Sequence, residues 1–598
     1  MQILIPISII IIYAITLTII LKKKIEQTIP ISIIEIVLII YVAGIFDNLK
    51  LGIQIIEGMA IFQIAIILYL TIKEKETKKI KENIKRIITP GLIVYLILSS
   101  ILAYINQGRI FNHHDEFTHW ALIVKNMFIF NTYGTNAQSL VEFNEYPPFT
   151  AIFQYLFLGI NKTYRENLII TAQGILYLSI IIPVMKNIEW KKELKKLLII
   201  IPIIVAMPMI FYNNFYLEIL VDGILGVMFA ITIYYEYENE ETKFKYLKIF
   251  TGLTMLCLTK PTGIALAILA VTIHFVELLK NIKKSKKEIK IMLLICVIIT
   301  ILTAIWYVKM DNVNHKWDFS QYIKNDSTID KGQMVQKYID NILYNQCLTD
   351  KNITTFLMIL ILVCTNMYVL KYSKQENDKK LKYYLILMLV TIPIYLLAQF
   401  ITYITIFDVQ EAQNLECFDR YTSTIILAVV MFQMLVVIEK EESKINFKKI
   451  FVSITIIMCM LPQKNIINKY IEESNYIATE QNNRDFYTNL KKYKKILGQN
   501  DTILFINNSN NSIKKVNLLN QYEMMPIKLE MENGIISNVN ELQKKILKNK
   551  YSYVYIYKID ESEKNDISEI FENEYVENDT LYRVVEKNDK IILEIVRR

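Results

Sequence analysis

Apolar runs of about 20 residues recur along the first three quarters of this 598-residue chain, and no other feature limits its fold as strongly. A helix of that length crosses about 30 Å of hydrocarbon. A soluble chain of this size would split into several domains with polar surfaces, but here 53% of the residues are hydrophobic. The pattern predicts a mostly α-helical, polytopic membrane protein with about fourteen spans, near 2–21, 30–46, 53–72, 89–106, 166–185, 197–213, 217–235, 246–258, 261–279, 290–307, 353–370, 382–406, 420–438 and 448–462. The first run ends in Lys22, Lys23 and Lys24. A signal peptide has its positive charge before the apolar region, so this run reads as a retained span.

The distribution of charge says more than the net value of +9. The short loops at 22–24, 73–86, 186–196, 236–248, 280–290, 371–382 and 439–449 are mostly Lys-rich, and the positive-inside rule puts them in the cytoplasm. The N-terminus, the regions 107–165, 308–352 and 407–419, and the tail after 463 are then expected outside, with the chain multi-pass in a cell membrane. This reading treats 147–160 (PPFTAIFQYLFLGI) as a short helix at the outer interface, opened by Pro147 and Pro148. Counting it as a span would turn the Lys-rich loops outward. At 259–263, Thr-Lys-Pro-Thr-Gly breaks an apolar hairpin and puts Lys260 inside the protein.

After 463 the chain turns polar, and its apolar runs shrink to strand length. Strands are predicted at 502–506, 551–557, 581–585 and 591–596, and helices at 538–548 and 567–571, with Asn588 and Asp589 making a hairpin turn. This is a small extracytoplasmic α/β domain. It has no Gly-rich phosphate loop, which favours a scaffold or docking role. No CxxC occurs among the six cysteines, so a zinc knuckle or thioredoxin-like motif is absent.

Chemistry-bearing residues concentrate at 112–148, which holds three of the five histidines, Asp115, Glu116, Glu145, Tyr146 and Pro147-Pro148. The segment HHDEFTH is not a zinc-protease helix. His114 and His119 are five apart and diverge on a helix, and Asp115 separates His114 from Glu116. On an α-helix Asp115 and His119 would share a face. Glu218 and Asp222, four apart, are likewise expected on one helical face at a span start. An Asp in an apolar span costs about 2.5–3.5 kcal/mol unless it has a partner or an aqueous cavity. Lys260 and Arg420 could complement these acids, and together they would suit a phosphate. Arg420 suits equally a pair with Asp419 or an interfacial anchor.

In order, these pieces resemble the membrane glycosyltransferases of the C superfold, which use polyprenyl-phosphate sugars. The group includes protein O-mannosyltransferases and lipid A aminoarabinose transferases. Asp115-Glu116 matches its acidic motif in the first large outer loop, and Tyr146-Pro147-Pro148 its interfacial helix start. Asp222 matches its later acidic residue, 259–263 its Lys-containing break, and Asp419-Arg420-Tyr421 its Arg-Tyr motif; Thr422-Ser423-Thr424 stands where the family often has a Pro. The resemblance covers roughly 89–440 and implies three domains: extra transmembrane helices at 1–88, a catalytic transmembrane domain at 89–462 with the outer loop 107–165, and the domain 463–598.

The activity it implies is inverting transfer of a sugar from a polyprenyl-phosphate donor to an envelope glycan, lipid or protein on the outer face of the bilayer; nucleic acid is not an expected partner. Asp115 is the expected base, with Glu116 orienting it or binding metal. His119, Glu145, Tyr146, Lys260, Arg420 and Tyr421 are expected to bind substrate, Lys260 and Arg420 holding the departing phosphate. A divalent cation, Mg2+ or Mn2+, shared by Asp115 and Asp222 is the one cofactor the resemblance admits. Two rivals stay open: a transporter or flippase, which favours repeated halves with broken helices, and an O-antigen-type polymerase or ligase, which favours a late outer loop rich in Arg and His. The 308–352 loop offers His315 and several lysines.

Overall fold

The computed structural model describes residues 2–74, 76–134, 141, 143–190, 194–280, 282–314, 331–345, 353–372, 378–440, 473–508, 513–533, 539–568, 576–587 and 590–597. They form two compact units. The first comprises Met1–Arg109, Asn126–Thr135 and Phe143–Ile471, and the second Ile110–Lys125, Asn136–Glu142 and Glu472–Arg598. A stretch expected with the 89–462 domain thus groups with the tail. The expected boundary at 462/463 lies outside the described residues.

The first unit is helical. In chain order the helices are α1 (Leu4–Leu21), α2 (Ile25–Ile45), α3 (Leu49–Lys73), α4 (Thr77–Ile87), α5 (Pro90–Ile105), α6 (Ala121–Phe130), of which the residues up to Lys125 group with the second unit, α7 (Phe149–Asn161), α8 (Glu166–Ile181) and α9 (Leu194–Phe211). They continue with α10 (Asp222–Tyr237), α11 (Thr242–Cys257), α12 (Pro261–Leu279), α13 (Ile282–Asn314), α14 (Lys331–Leu343), α15 (Thr355–Tyr372), α16 (Asp378–Thr405), α17 (Val409–Asn414) and α18 (Phe418–Lys440). Among the described residues, nine helical segments are long and apolar enough to cross a membrane.

Their surfaces show which sit inside. The apolar stretch of α8 is wholly buried, whereas that of α3 is 17% buried and exposes Ile61, Phe62 and Ile72. Water would penalise such a surface and hydrocarbon does not. The protein is therefore membrane-embedded, with α8, α10 and α18 inside and α3 and α13 on the rim.

Several expected spans differ in the structure. The expected 197–213, 217–235, 246–258 and 353–370 appear as apolar helices shorter than the nine or begin at other residues, and 448–462 lies outside the described residues. The segment 212–221 is turn rather than helix, so α10 begins only at Asp222 and Glu218 does not share a helical face with it. Helix α7 starts directly after Pro148, but protein covers nearly all of it, from Phe149 through Leu158, instead of leaving one face for an interface.

The second unit contains a five-stranded sheet in the order β2 (Lys528–Asn533), β1 (Thr502–Asn507), β3 (Tyr553–Lys558), β4 (Thr580–Lys587), β5 (Lys590–Ile595). β1 pairs in parallel with β2 and β3, and β3–β4 and β4–β5 are antiparallel. Leu504, Ile506, Val554 and Ile556 pack on one face, and Ile503, Phe505, Tyr553 and Tyr555 on the other. That period-2 split is why these strands are apolar throughout. β2 and the helix Ile513–Met524 have no counterpart among the sequence expectations. A helix Glu561–Ile567, started by an Asp560/Glu563 capping box, ends where the helix expected at 567–571 begins, and residues 569–571 of that expectation lie outside the described residues. Lys587 pairs with Lys590, as a tight hairpin requires, while Asn588 and Asp589 lie outside the described residues.

Candidate functional site

Three chain breaks in the first unit bring its charged residues together. Asp222 is the first residue of α10. Lys260 precedes Pro261, which opens α12 with the fixed φ and missing N–H suited to a first helical position. Arg420 lies in the first turn of α18. The Lys260 Nζ donates to Asp222 Oδ1 at 2.8 Å, and the Arg420 Nε stands 3.3 Å from Asp222 Oδ2. Arg420 therefore pairs with Asp222, across the helix interface, rather than serving as a lone anchor.

Aromatic rings enclose these charges. Lys260 Nζ lies 5.2 Å from the Tyr421 ring centre and 5.8 Å from that of Tyr146, within cation–π range. Tyr212 donates to the Arg420 backbone carbonyl at 2.7 Å and lies 3.0 Å from Thr424 Oγ1. The fields of Asp222 and Lys260 also reach Tyr395 and Tyr146, and Tyr146 also feels Glu145. The Phe149 N–H donates to the Leu258 carbonyl at 2.6 Å, joining the start of α7 to the break before Lys260. The Trp306 indole donates to the Glu145 carbonyl at 2.8 Å, fixing the loop that carries Tyr146.

Of the residues singled out in the sequence, Asp222, Lys260, Arg420, Tyr421 and Tyr146 thus meet. Tyr212, Tyr395 and Thr424 belong to the same cluster and were not expected. In a chain with 38 tyrosines their residue type alone carries no signal. A divalent ion does not fit Asp222, because both its carboxylate oxygens face cations. The expected metal role of Asp222 is therefore dropped. Asp222 instead holds Lys260 and Arg420 at one point.

The other end of α10 carries a second charge network. Glu238 pairs with Lys186 and Lys248, Lys186 lies 3.7 Å from Glu439, and Lys23 lies 2.6 Å from Glu240. Lys23, Lys186, Glu238, Glu240, Lys248 and Glu439 thus form one connected group at that end. The 16 residues of α10 separate them from Asp222 by about 24 Å.

Asp115, Glu116 and His119 belong to the second unit. There the chain makes a wide π-turn over Glu116–Trp120, with the Ala121 N–H reaching the Glu116 carbonyl five residues back. The Asp115/His119 pairing expected of an α-helix does not apply to that turn. Glu116 is fully buried, and its Oε2 accepts the backbone N–H groups of Asn112 and His113, each at 2.9 Å. It shapes the loop from beneath. Asp115 is partly exposed, with the His113 ring nitrogen 3.8 Å from its Oδ1. His119 is buried against Trp120 in an edge-on contact at 4.5 Å. Lys125, a lone cation in the apolar run ALIVKNMFIF, is buried with its Nζ 3.7 Å from the Tyr522 ring centre. That interruption was the signal sequence reading could have used.

Among the described residues, no group of three or more His, Cys, Asp or Glu side chains forms a metal-ligand set. No family model, curated protein or solved structure matches the chain.

Proposed function

We propose that the protein is a membrane glycosyltransferase of the C-superfold type, moving a sugar from a polyprenyl-phosphate donor to an envelope acceptor on the outer face of the bilayer. The observation that carries this reading is the meeting of Lys260 and Arg420 on one carboxylate, ringed by tyrosines, at helix ends inside a membrane-embedded bundle. Two cations brought together at one point suit a monoester or diester phosphate, and tyrosine rings suit the adjoining sugar. The spans, including those the sequence counts to about fourteen, would house the prenyl chain.

In the reaction an acceptor hydroxyl oxygen attacks the anomeric carbon from the face opposite the phosphate. The carbon–oxygen bond to phosphate breaks, its electron pair leaves with the lipid phosphate, and the configuration inverts. Lys260 and Arg420 stabilise the charge that grows on the leaving oxygen. Asp115 takes the hydroxyl proton, and Glu116 positions it by shaping the loop. His119, Glu145, Tyr146 and Tyr421 are the further substrate contacts in this reading.

The test is transfer of radiolabelled sugar from a prenyl-phosphate donor by the reconstituted protein. Lys260→Met should lower transfer about 100- to 1,000-fold, the usual loss for an electrostatic stabiliser, at unchanged expression. Asp115→Asn should abolish it. Full transfer by Lys260→Met removes the reading, and full transfer by Asp115→Asn removes the base assignment alone. Movement of intact lipid-linked saccharide across the bilayer, with no new glycosidic bond, would make the protein a flippase.

A further inference from the structure

In the second unit a cavity of about 310 Å³ opens between the segment 110–117, the helix Glu473–Tyr487 and the helix Ile513–Met524. Its inner wall is apolar, with Phe117 and Leu519 both buried. Its rim is cationic. Lys514 and Lys515 line it from one helix and are exposed, Arg484 lines it from the other, and Glu480 is the one carboxylate among the described lining residues. The exposed imidazole of His114 completes the rim.

These parts have different uses. Arg484 is already paired with Glu523 at 2.5 Å and stacked 5.4 Å from the Phe117 ring centre, so it serves mainly to hold that wall. Lys514 and Lys515 have their charges at the mouth, where an anion can reach them. An apolar ligand would gain nothing from the rim, and a bare inorganic anion nothing from the wall. The volume lies at the small end of ligand pockets, about 300–1,000 Å³, so it suits one or two rings and not a lipid chain or a folded partner. A pyranose ring meets both requirements when it carries an acidic group. Its C–H face packs on aromatic carbon, and its charge meets the lysines.

We infer that this cavity binds an anionic saccharide unit, a sugar ring bearing phosphate or carboxylate. Seen as the charged unit of the acceptor, the ligand rests on the proposed transferase reading; the binding itself does not.

The experiment is calorimetric titration of the full-length protein in detergent micelles at low salt. The probes are glucose 6-phosphate and glucuronate, with glucose and inorganic phosphate as controls. Saturable binding of either acidic sugar, at least tenfold tighter than both controls and weakened at least tenfold in the double variant Lys514→Glu/Lys515→Glu, is the expected result. The two probes separate phosphate from carboxylate as the source of charge. Because both lysines are exposed, the variant should keep its fold, which its thermal unfolding checks. Binding of inorganic phosphate as tight as that of glucose 6-phosphate, equal binding of glucose, no binding of either acidic sugar, or an unaffected double variant overturns the site. Lys260→Met should leave this binding unchanged. Loss of transfer in every assay with binding intact would therefore sink the transferase reading and spare the cavity.

Discussion

Charge holds Glu523 of the second unit in place against the cost of its burial. Burial works against its charge, but Arg484, then Lys125 and Lys491, outweigh that and hold its carboxyl below the ordinary value of 4.5. A carboxylate with a lowered folded value adds stability above its unfolded value and loses it as pH falls through the folded one. The second unit should therefore keep this contribution down to about pH 4.5 and lose it progressively below. Removing one partner of such a buried pair costs about 3–5 kcal/mol. Glu523→Gln should thus raise hydrogen exchange in Ile513–Met524 more than 100-fold at pH 7, and should flatten the acid response. Unchanged protection at pH 7 would show that the pair contributes little.

At the scale of elements, the contact between α10 and α18 sets the first unit's charged centre. A Cβ on Gly226 would lie 2.4 Å from the Thr424 carbonyl oxygen, closer than real contacts allow. Thr424 is one turn along α18 from Arg420, whose backbone carbonyl Tyr212 holds. Gly226→Leu should push α18 away and part Arg420 from Asp222. Overpacking of this kind costs about 1–3 kcal/mol of stability. On the proposed transferase reading, sugar transfer should fall at least tenfold while the variant still folds, as thermal unfolding and transfer assays on the same preparation would show. Helices of this kind were legible because α1, α8 and the 290–307 part of α13 carry long apolar stretches, and Pro261 announced the break beside Lys260. The burial of α7 was not legible, since a mostly apolar helix of 13 residues looks the same whether protein or lipid covers it. Nor was the turn at 212–221, because its Phe, Tyr, Leu and Ile are apolar without being helical. Asp222, Lys260 and Arg420 stood out as charges in apolar company; their neighbours Tyr212 and Tyr395 did not.

For the molecule as a whole, the division into units follows space rather than sequence. Phe111 and Phe117 pack edge-on against Tyr522, at 6.4 and 5.2 Å between ring centres. No local pattern in 110–125 could have named a partner so far along the chain, which is why the sequence suggested one domain at 89–462 and another after it. A chain stopped at 472 should keep its membrane helices but leave 110–125 without these contacts. Limited proteolysis should then cut within that segment, where the full-length protein resists. Equal resistance in both would mean the segment folds without the tail.

That pairing also imposes a schedule on biosynthesis. The ribosome completes Lys125 about 350 residues before it has begun the helix Glu473–Tyr487, a wait of tens of seconds at about 5–20 residues per second. Through that interval Phe111, Phe117 and Trp120 have been made and their cover has not. A nascent chain of this protein thus carries a sticky, half-finished surface for most of its translation, and a folding helper that shields aromatic side chains would have its longest opportunity there.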